Sequence, residues 1–335
     1  MPYSAKNHGS RHVRAFEHVD ATSAEEAVEL LGADPLARAI AGGTDLIPEM
    51  RLGIREPDRL INLKSIKGLD GVTAEDGCVR IGALARLAEV AQHPLVANDL
   101  SILVEAIDLA ASPQIRNAAT LGGSLCQESR CWYFRGPFHC WLKGGTCCDA
   151  EHGDNRYQAI LGGGPCFTVQ PSDPATALVA LGAWATIVGP RGERSVPLEE
   201  FFTRPHDDHR ALTCLGQDEV VSHVDIPPLA AGARNVFLKA MERAEFGFAL
   251  ASVACIVTVE HDRVKTARIV LGGVAPVPWR ATAAERLLIG SRPDRPVIQR
   301  AGAAATEGAR PLSTNGYKVA LAQGLVRRAI ETVMT

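Results

Sequence analysis

Apolar positions recur along this chain at two spacings, and the switches between them mark out its elements. In SAEEAVELLG, Ala24, Val28 and Leu31 fall at helical spacing behind a serine that can cap and two early glutamates, with Gly32 as a stop. ARAIAGGTDLIPEMRLG reads as a short apolar strand running into the glycine pair Gly42 and Gly43. DRLINLKSI and GCVRIGAL predict strands, and LARLAEVAQHP predicts a helix stopped at Pro94. ILVEAIDLAASPQIRNAATLGGSLC predicts a helix, a turn at Ser112 and Pro113, and a second glycine pair in TLGGS. PSDPATALVALGAWATIVG reads as a helix leading into a strand, after which TRPHDDHR and IPPLAAGAR mark a linker. Beyond it NVFLKAMER, FALASVACIVTVE and TARIVLGGVA predict strands, and two Ala-rich stretches, at roughly 280–290 and 315–333, predict helices.

Composition narrows the class. A length of 335 residues suggests two or three domains, and 46% apolar with 22% charged residues is ordinary globular usage. A net charge of −3 leaves no basic footprint for nucleic acid. No apolar run approaches the ~20 residues of a membrane helix, so no membrane insertion is expected. MPYSAKNHGSRHVRAFEHVD has neither an apolar leader core nor a twin-arginine pair, so a cytoplasmic home is expected. Export to the periplasm with a signal-bearing partner would be compatible. With 31 glycines and 5% aromatic residues, tight turns and close backbone approaches are expected rather than an aromatic-lined pocket.

The cysteines are distributed unevenly: six of nine fall between Cys126 and Cys166, and Cys78, Cys214 and Cys255 are scattered singly. Disulfide staples are the weakest reading, because a chain of this length builds its own cores and the count is odd. Of the C-x₂₋₄-C spacings usual in structural zinc sites, the chain has only the one between Cys126 and Cys131. The scattered three read as small buried hydrophobes. Two loops of similar chemistry, AGGTDL and TLGGS, are candidate phosphate cradles, since paired glycines admit an anion to backbone N–H groups and Thr44 and Ser124 add hydroxyls. Neither matches the standard dinucleotide or P-loop patterns. No acid–base or nucleophile constellation is apparent, so no catalytic residue is assigned.

The ordered blocks AGGTDL, INLKSI, RIGAL, IRNAATLGGSLCQ, PSDPATALVALGA, FLKAMERAEFGFALASVA and LGGVAPVPWR resemble the FAD-binding medium subunit of the xanthine dehydrogenase, or molybdenum hydroxylase, family. The resemblance runs from about Phe16 to the C-terminus. It implies an α+β fold: a vanillyl-alcohol-oxidase-type (PCMH) FAD-binding domain in two α/β lobes, then a C-terminal domain of the carbon monoxide dehydrogenase flavoprotein type. The implied divisions are 1–68, 69–225 and 226–335, with a cysteine-rich insertion at about 126–168. That insertion is similar to those of the flavin subunits of bacterial aromatic aldehyde oxidoreductase and 4-hydroxybenzoyl-CoA reductase, which hold a [4Fe–4S] cluster. The implied ligands are Cys131, Cys140, Cys148 and Cys166, with Cys147 the alternative to Cys148. Four thiolates are the usual cubane set. Trp132, Tyr133, Phe134 and Trp141 are expected to keep water from it, and His139 and His152 are read as loop residues.

For FAD, the resemblance implies that Ile40, Ala41, Gly42, Gly43, Thr44 and Asp45 wrap the pyrophosphate and that Thr120, Gly123 and Ser124 form the second cradle. Asp173 would accept from a ribose or ribityl hydroxyl, Lys239 would approach the isoalloxazine, and Val221 would pack near the ring. Phe246 and Phe248 are read equally as ring neighbours or as strand packing, and Arg116 and Asn117 as loop-shaping. The function implied is electron transfer between a molybdopterin-binding large subunit, a [2Fe–2S] small subunit and an external acceptor. A hydroxybenzoyl-CoA reductase-type complex, a free-standing flavin oxidoreductase and a zinc-stabilised assembly module are the alternatives.

Overall fold

The structure, a computed structural model, describes residues 13–206, 209–243 and 245–335. The start of the first expected lobe, Asp207 and Asp208 of TRPHDDHR, and Ala244 of FLKAMERAEFGFA lie outside the described residues.

The first lobe comprises β1 (Glu17–Asp20), α1 (Ala24–Gly32), β2 (Arg38–Ile40), α2 (Leu46–Arg51) and β3 (Arg59–Asn62). Its parallel sheet has the order β1-β3-β2. Helix α1 begins where expected, since the Ser23 hydroxyl accepts from the Glu26 N–H, and it buries Ala24, Ala27, Val28 and Leu31.

The second lobe opens with β4 (Val72–Glu75) and β5 (Cys78–Gly82). Helices α3 (Leu87–Gln92), α4 (Pro94–Asp99), α5 (Ser101–Asp108), α6 (Pro113–Arg116), α7 (Leu121–Leu125) and α8 (Trp132–Arg135) follow. Pro94 stops α3 as expected and then opens α4, because a proline at a first helical position forgoes an N–H that has no helical partner anyway. The same logic turns the expected Ser112–Pro113 bend into the N-terminus of α6, with Ser112 accepting from Ile115 N–H.

After the cysteine-rich stretch come α9 (Asp173–Leu181), β6 (Trp184–Gly189), β7 (Gly192–Pro197), α10 (Leu198–Phe201) and β8 (Val220–Ile226). The five-stranded sheet runs β4-β5-β8-β6-β7. Because β8 lies between β5 and β6, TRPHDDHR sits inside this lobe rather than linking it to the next; the chain leaves only afterwards, through IPPLAAGAR.

The last domain is an antiparallel sheet, β12-β11-β10-β9, made of β9 (Arg234–Ala240), β10 (Ala251–Glu260), β11 (Arg263–Gly272) and β12 (Trp279–Arg280). Helices α11 (Thr282–Leu288), α12 (Arg295–Ala304) and α13 (Tyr317–Met334) complete it, one more than the two expected.

Two junctions position the site. Helices α5 and α9 carry Leu103, Ile107 and Leu178 into a core shared with Phe237, Ala254 and Val270 of the last sheet, so the start of α9 faces the end of β9. The cysteine-rich stretch docks on the last domain, where Ile160 and Leu161 enter its core and both their N–H groups donate to Val274. Lys318 of α13 is fully buried there and donates to the carbonyls of Tyr157, Gln158 and Gly273 at 2.7, 3.2 and 2.8 Å. Burial pushes its ammonium down to about 7.

Candidate functional site

The two glycine loops meet back to back. A Cβ on Gly42 would lie 2.1 Å from the Ala118 carbonyl oxygen, so only glycine lets the first loop settle against the chain entering the second. Gly43 sits at φ +69°, a left-handed turn that carries the chain into α2. In the second loop the Thr120 hydroxyl accepts from Gly123 N–H at 3.1 Å and caps α7. Ser124 and Ser172, the cap of α9, share a buried hydrogen bond of 2.9 Å.

A cavity of about 530 Å³ lies along these loops, lined by all six residues from Ile40 to Asp45, by Thr120 and Gly123, and by Arg38, Arg55 and Arg210. A second cavity shares Thr44, Asp45, Gly123 and Gln127 with it and continues past Ser124, Arg130, Asp173, Lys239, Phe246 and Phe248. The structure thus brings eleven of the twelve residues expected at the flavin onto one continuous cleft. Val221 is the exception: it is buried in the core of the second lobe and lines neither cavity.

Asp173 and Lys239 form an almost fully enclosed ion pair of 2.7 Å, and the ammonium also donates to the Leu109 carbonyl. Burial pushes the Asp173 carboxyl up to about 6, and the Lys239 charge holds it from rising further. Removing one partner of a buried pair strands the other, so Lys239→Met should cost about 3–5 kcal/mol of stability. Urea unfolding compared with wild type checks this, and a cost below about 1 kcal/mol would contradict it.

Phe246 and Phe248 are not packed in a strand. They lie in the loop between β9 and β10, Phe246 at φ +56°, roughly half-exposed on the cavity rim. Arg116 donates to the Asp108 and Ala110 carbonyls, the loop-shaping role expected of it.

Cys140, Cys148 and Cys166 are buried and Cys131 is half-buried. Cys148 and Cys166 influence each other most, an interaction that holds Cys148 down to about 6 and pushes Cys166 far up. Burial raises Cys131 and takes Cys140 to about 11; charge on Cys148 adds to both. Gln158 Nε2 lies 3.2 Å from the Cys131 sulfur. Cys147 is exposed and turns toward Asp149, and Cys126 lines the larger cavity. Among the described residues, no group of three or more His, Cys, Asp or Glu is placed to hold a metal ion as it stands. Phe134 and Trp141 are buried as expected of a water barrier, whereas Trp132 is 53% exposed.

An ion-pair network, invisible in the sequence, joins the two regions. Asp45 and Glu49, one turn apart at the start of and within α2, meet Arg135 at 2.8 and 3.1 Å, and Asp45 also meets Arg130 at 2.7 Å. Burial, then the neighbouring Asp45, raises the Glu49 carboxyl to about 8.

Residues 14–229 match the model of the FAD-binding domain in molybdopterin dehydrogenase, and residues 236–333 match the carbon monoxide dehydrogenase flavoprotein C-terminal domain. The chain belongs to the FAD-binding subunits of the molybdenum hydroxylase family. It is 36% identical over 282 residues to the aldehyde oxidoreductase FAD-binding subunit PaoB of Escherichia coli K12, covering 82% of this chain and 86% of that one. It is 30% identical to the carbon monoxide dehydrogenase medium chain of Hydrogenophaga pseudoflava over 94% of this chain and 96% of that one. A solved structure of carbon monoxide dehydrogenase from that organism, lacking the Mo-pyranopterin moiety of its molybdenum cofactor, superposes with a TM-score of 0.77 at 28% identity, covering 96% of this chain and 98% of its counterpart. Quinoline 2-oxidoreductase from Pseudomonas putida 86 gives 0.77 at 25% identity, over 97% and 98%. The PCMH-type FAD-binding domain and flavoprotein C-terminal domain expected from the sequence are therefore those of the chain, and the expected cofactor FAD is supported by the first of them. No described helix is long and apolar enough to cross a membrane.

Proposed function

We propose that this chain is the electron-transfer subunit of a heterotrimeric molybdenum hydroxylase, carries FAD and one [4Fe–4S] cluster, and passes electrons from its partners to an external acceptor. Its partners would be a molybdopterin-binding large subunit and a [2Fe–2S] small subunit. The likeness to the aldehyde oxidoreductase subunit favours aldehydes as the substrates of the complex.

The observation that supports this reading is one stretch beside the flavin cleft that buries Cys140, Cys148 and Cys166 and half-buries Cys131 while leaving Cys147 exposed. Their chemistry fits a cubane. Four thiolates are the usual ligand set of a cubane cluster.

When bound, FAD accepts electrons in pairs or singly and the cluster handles them one at a time, so together they connect one-electron and two-electron carriers. The protein's part is binding and electrostatics. Gly42 and Gly43 open backbone N–H groups to the pyrophosphate, and Asp173 offers its carboxylate to a hydroxyl of the ribityl or ribose. Lys239, held by Asp173, places a cation toward the ring, where it favours the anionic reduced form. Phe134 and Trp141 exclude water from the thiols.

Purification from the natural host tests the assembly. The chain should travel with a molybdopterin-binding subunit and a [2Fe–2S] subunit, and a monomer with its own dehydrogenase activity would overturn the proposal.

A further inference from the structure

Arg130 has an unusual place in the cleft. Its side chain lines the second cavity, pairs with Asp45 at 2.7 Å, donates to Gln127 Oε1 at 3.1 Å and lies 5.2 Å from the centre of the Phe248 ring. Its Nε–H is buried and has no hydrogen-bond partner. A charged donor left this way is costly, and its residue lines a cavity in which an acceptor is missing.

The neighbouring groups explain why the donor is free. Asp45 pairs with both Arg130 and Arg135, and Glu49 lies against Arg135 and, at 3.6 Å, Arg55. Arg135 is itself fixed by the Ser129 carbonyl at 2.7 Å, and the second Asp45 oxygen accepts from Glu128 N–H at 2.8 Å. Arg130 meets Asp45 through Nη1 and Gln127 through Nη2, which leaves its Nε–H directed to neither of them.

We propose that Arg130 is a flavin-binding residue, whose Nε–H donates to an acceptor atom of FAD, so that the cysteine-rich stretch completes the flavin site as well as carrying thiols. The inference rests on FAD occupying the cleft described above. It makes one dipeptide serve two centres, since Arg130 faces the flavin cavity and Cys131 the thiol group.

The test is FAD affinity of the full chain, measured by fluorescence titration of flavin-stripped protein, together with iron content. Arg130→Gln leaves Asp45 paired with Arg135, so the fold should persist. FAD binding should weaken about ten- to hundredfold while iron content is unchanged. Arg130→Lys restores a cation without an N–H at the Nε position and should recover only part of the loss. FAD affinity within about twofold of wild type in Arg130→Gln would overturn the proposal. So would full recovery in Arg130→Lys, or iron and flavin falling together. A wild-type chain that takes up no FAD in the same titration would overturn the flavin reading itself, a result distinct from an unaffected variant.

Discussion

Cys148→Ser will leave an anaerobic preparation stripped of acid-labile sulfide and of broad visible absorbance, while Cys147→Ser keeps both and each variant retains FAD. The two residues are adjacent in sequence but not in environment. Cys148 is buried, whereas Cys147 is exposed and directed to Asp149. Serine is a poor substitute for a thiolate, so a cluster missing one of its four ligands should not survive purification. FAD should remain because the glycine loops and Asp173 lie on the cleft, separate from the thiols. Iron, sulfide and flavin assays on the two proteins decide between them, and the reverse pattern would exchange the third ligand without changing the proposed function.

The glycine loops were legible because their signal is local: a paired glycine followed by Thr-Asp, or preceded by Thr-Leu, reports its own backbone. The clustering of Cys131, Cys140, Cys148 and Cys166 could be anticipated for a similar reason, since all four lie in one stretch. The ion network was not legible. Asp45 and Arg135 are 90 residues apart, and nothing near either marks the other as its partner. Asp173 and Lys239, separated by 66 residues, were each expected at the flavin but not as a pair.

Some elements were missed for physical reasons. Strand β7, GERSVP, is an exposed edge without an alternating apolar face, and β8 follows a Pro-rich, charged segment that imitates a linker. Helix α12, RPVIQRAGAA, has few large apolar residues, and its pairing with α13 makes it a helix in context. Arg130 carried one usable signal, a charge directly before the first expected cluster ligand.

Gly42→Val should have the largest effect on flavin and fold together. The new Cβ would stand 2.1 Å from the Ala118 carbonyl oxygen and 3.1 Å from the Ala119 Cα, both backbone atoms that cannot rotate away. The loops must part, and such overpacking costs about 3 kcal/mol or more. Loss of bound FAD with a lowered melting temperature is the expected result. Gly68→Ala serves as a control, because a Cβ there meets nothing within 4 Å and only the left-handed backbone, φ +84°, is strained. Full flavin occupancy in Gly42→Val would show that the cradle is not where the two loops meet.

The most direct measurement is the cofactor content of the wild-type chain prepared without oxygen: iron, acid-labile sulfide, zinc and FAD assayed on one sample. The account predicts one FAD with about four irons and four sulfides per chain, the content of a single [4Fe–4S] cluster. FAD accompanied by zinc, or by no metal, would contradict it.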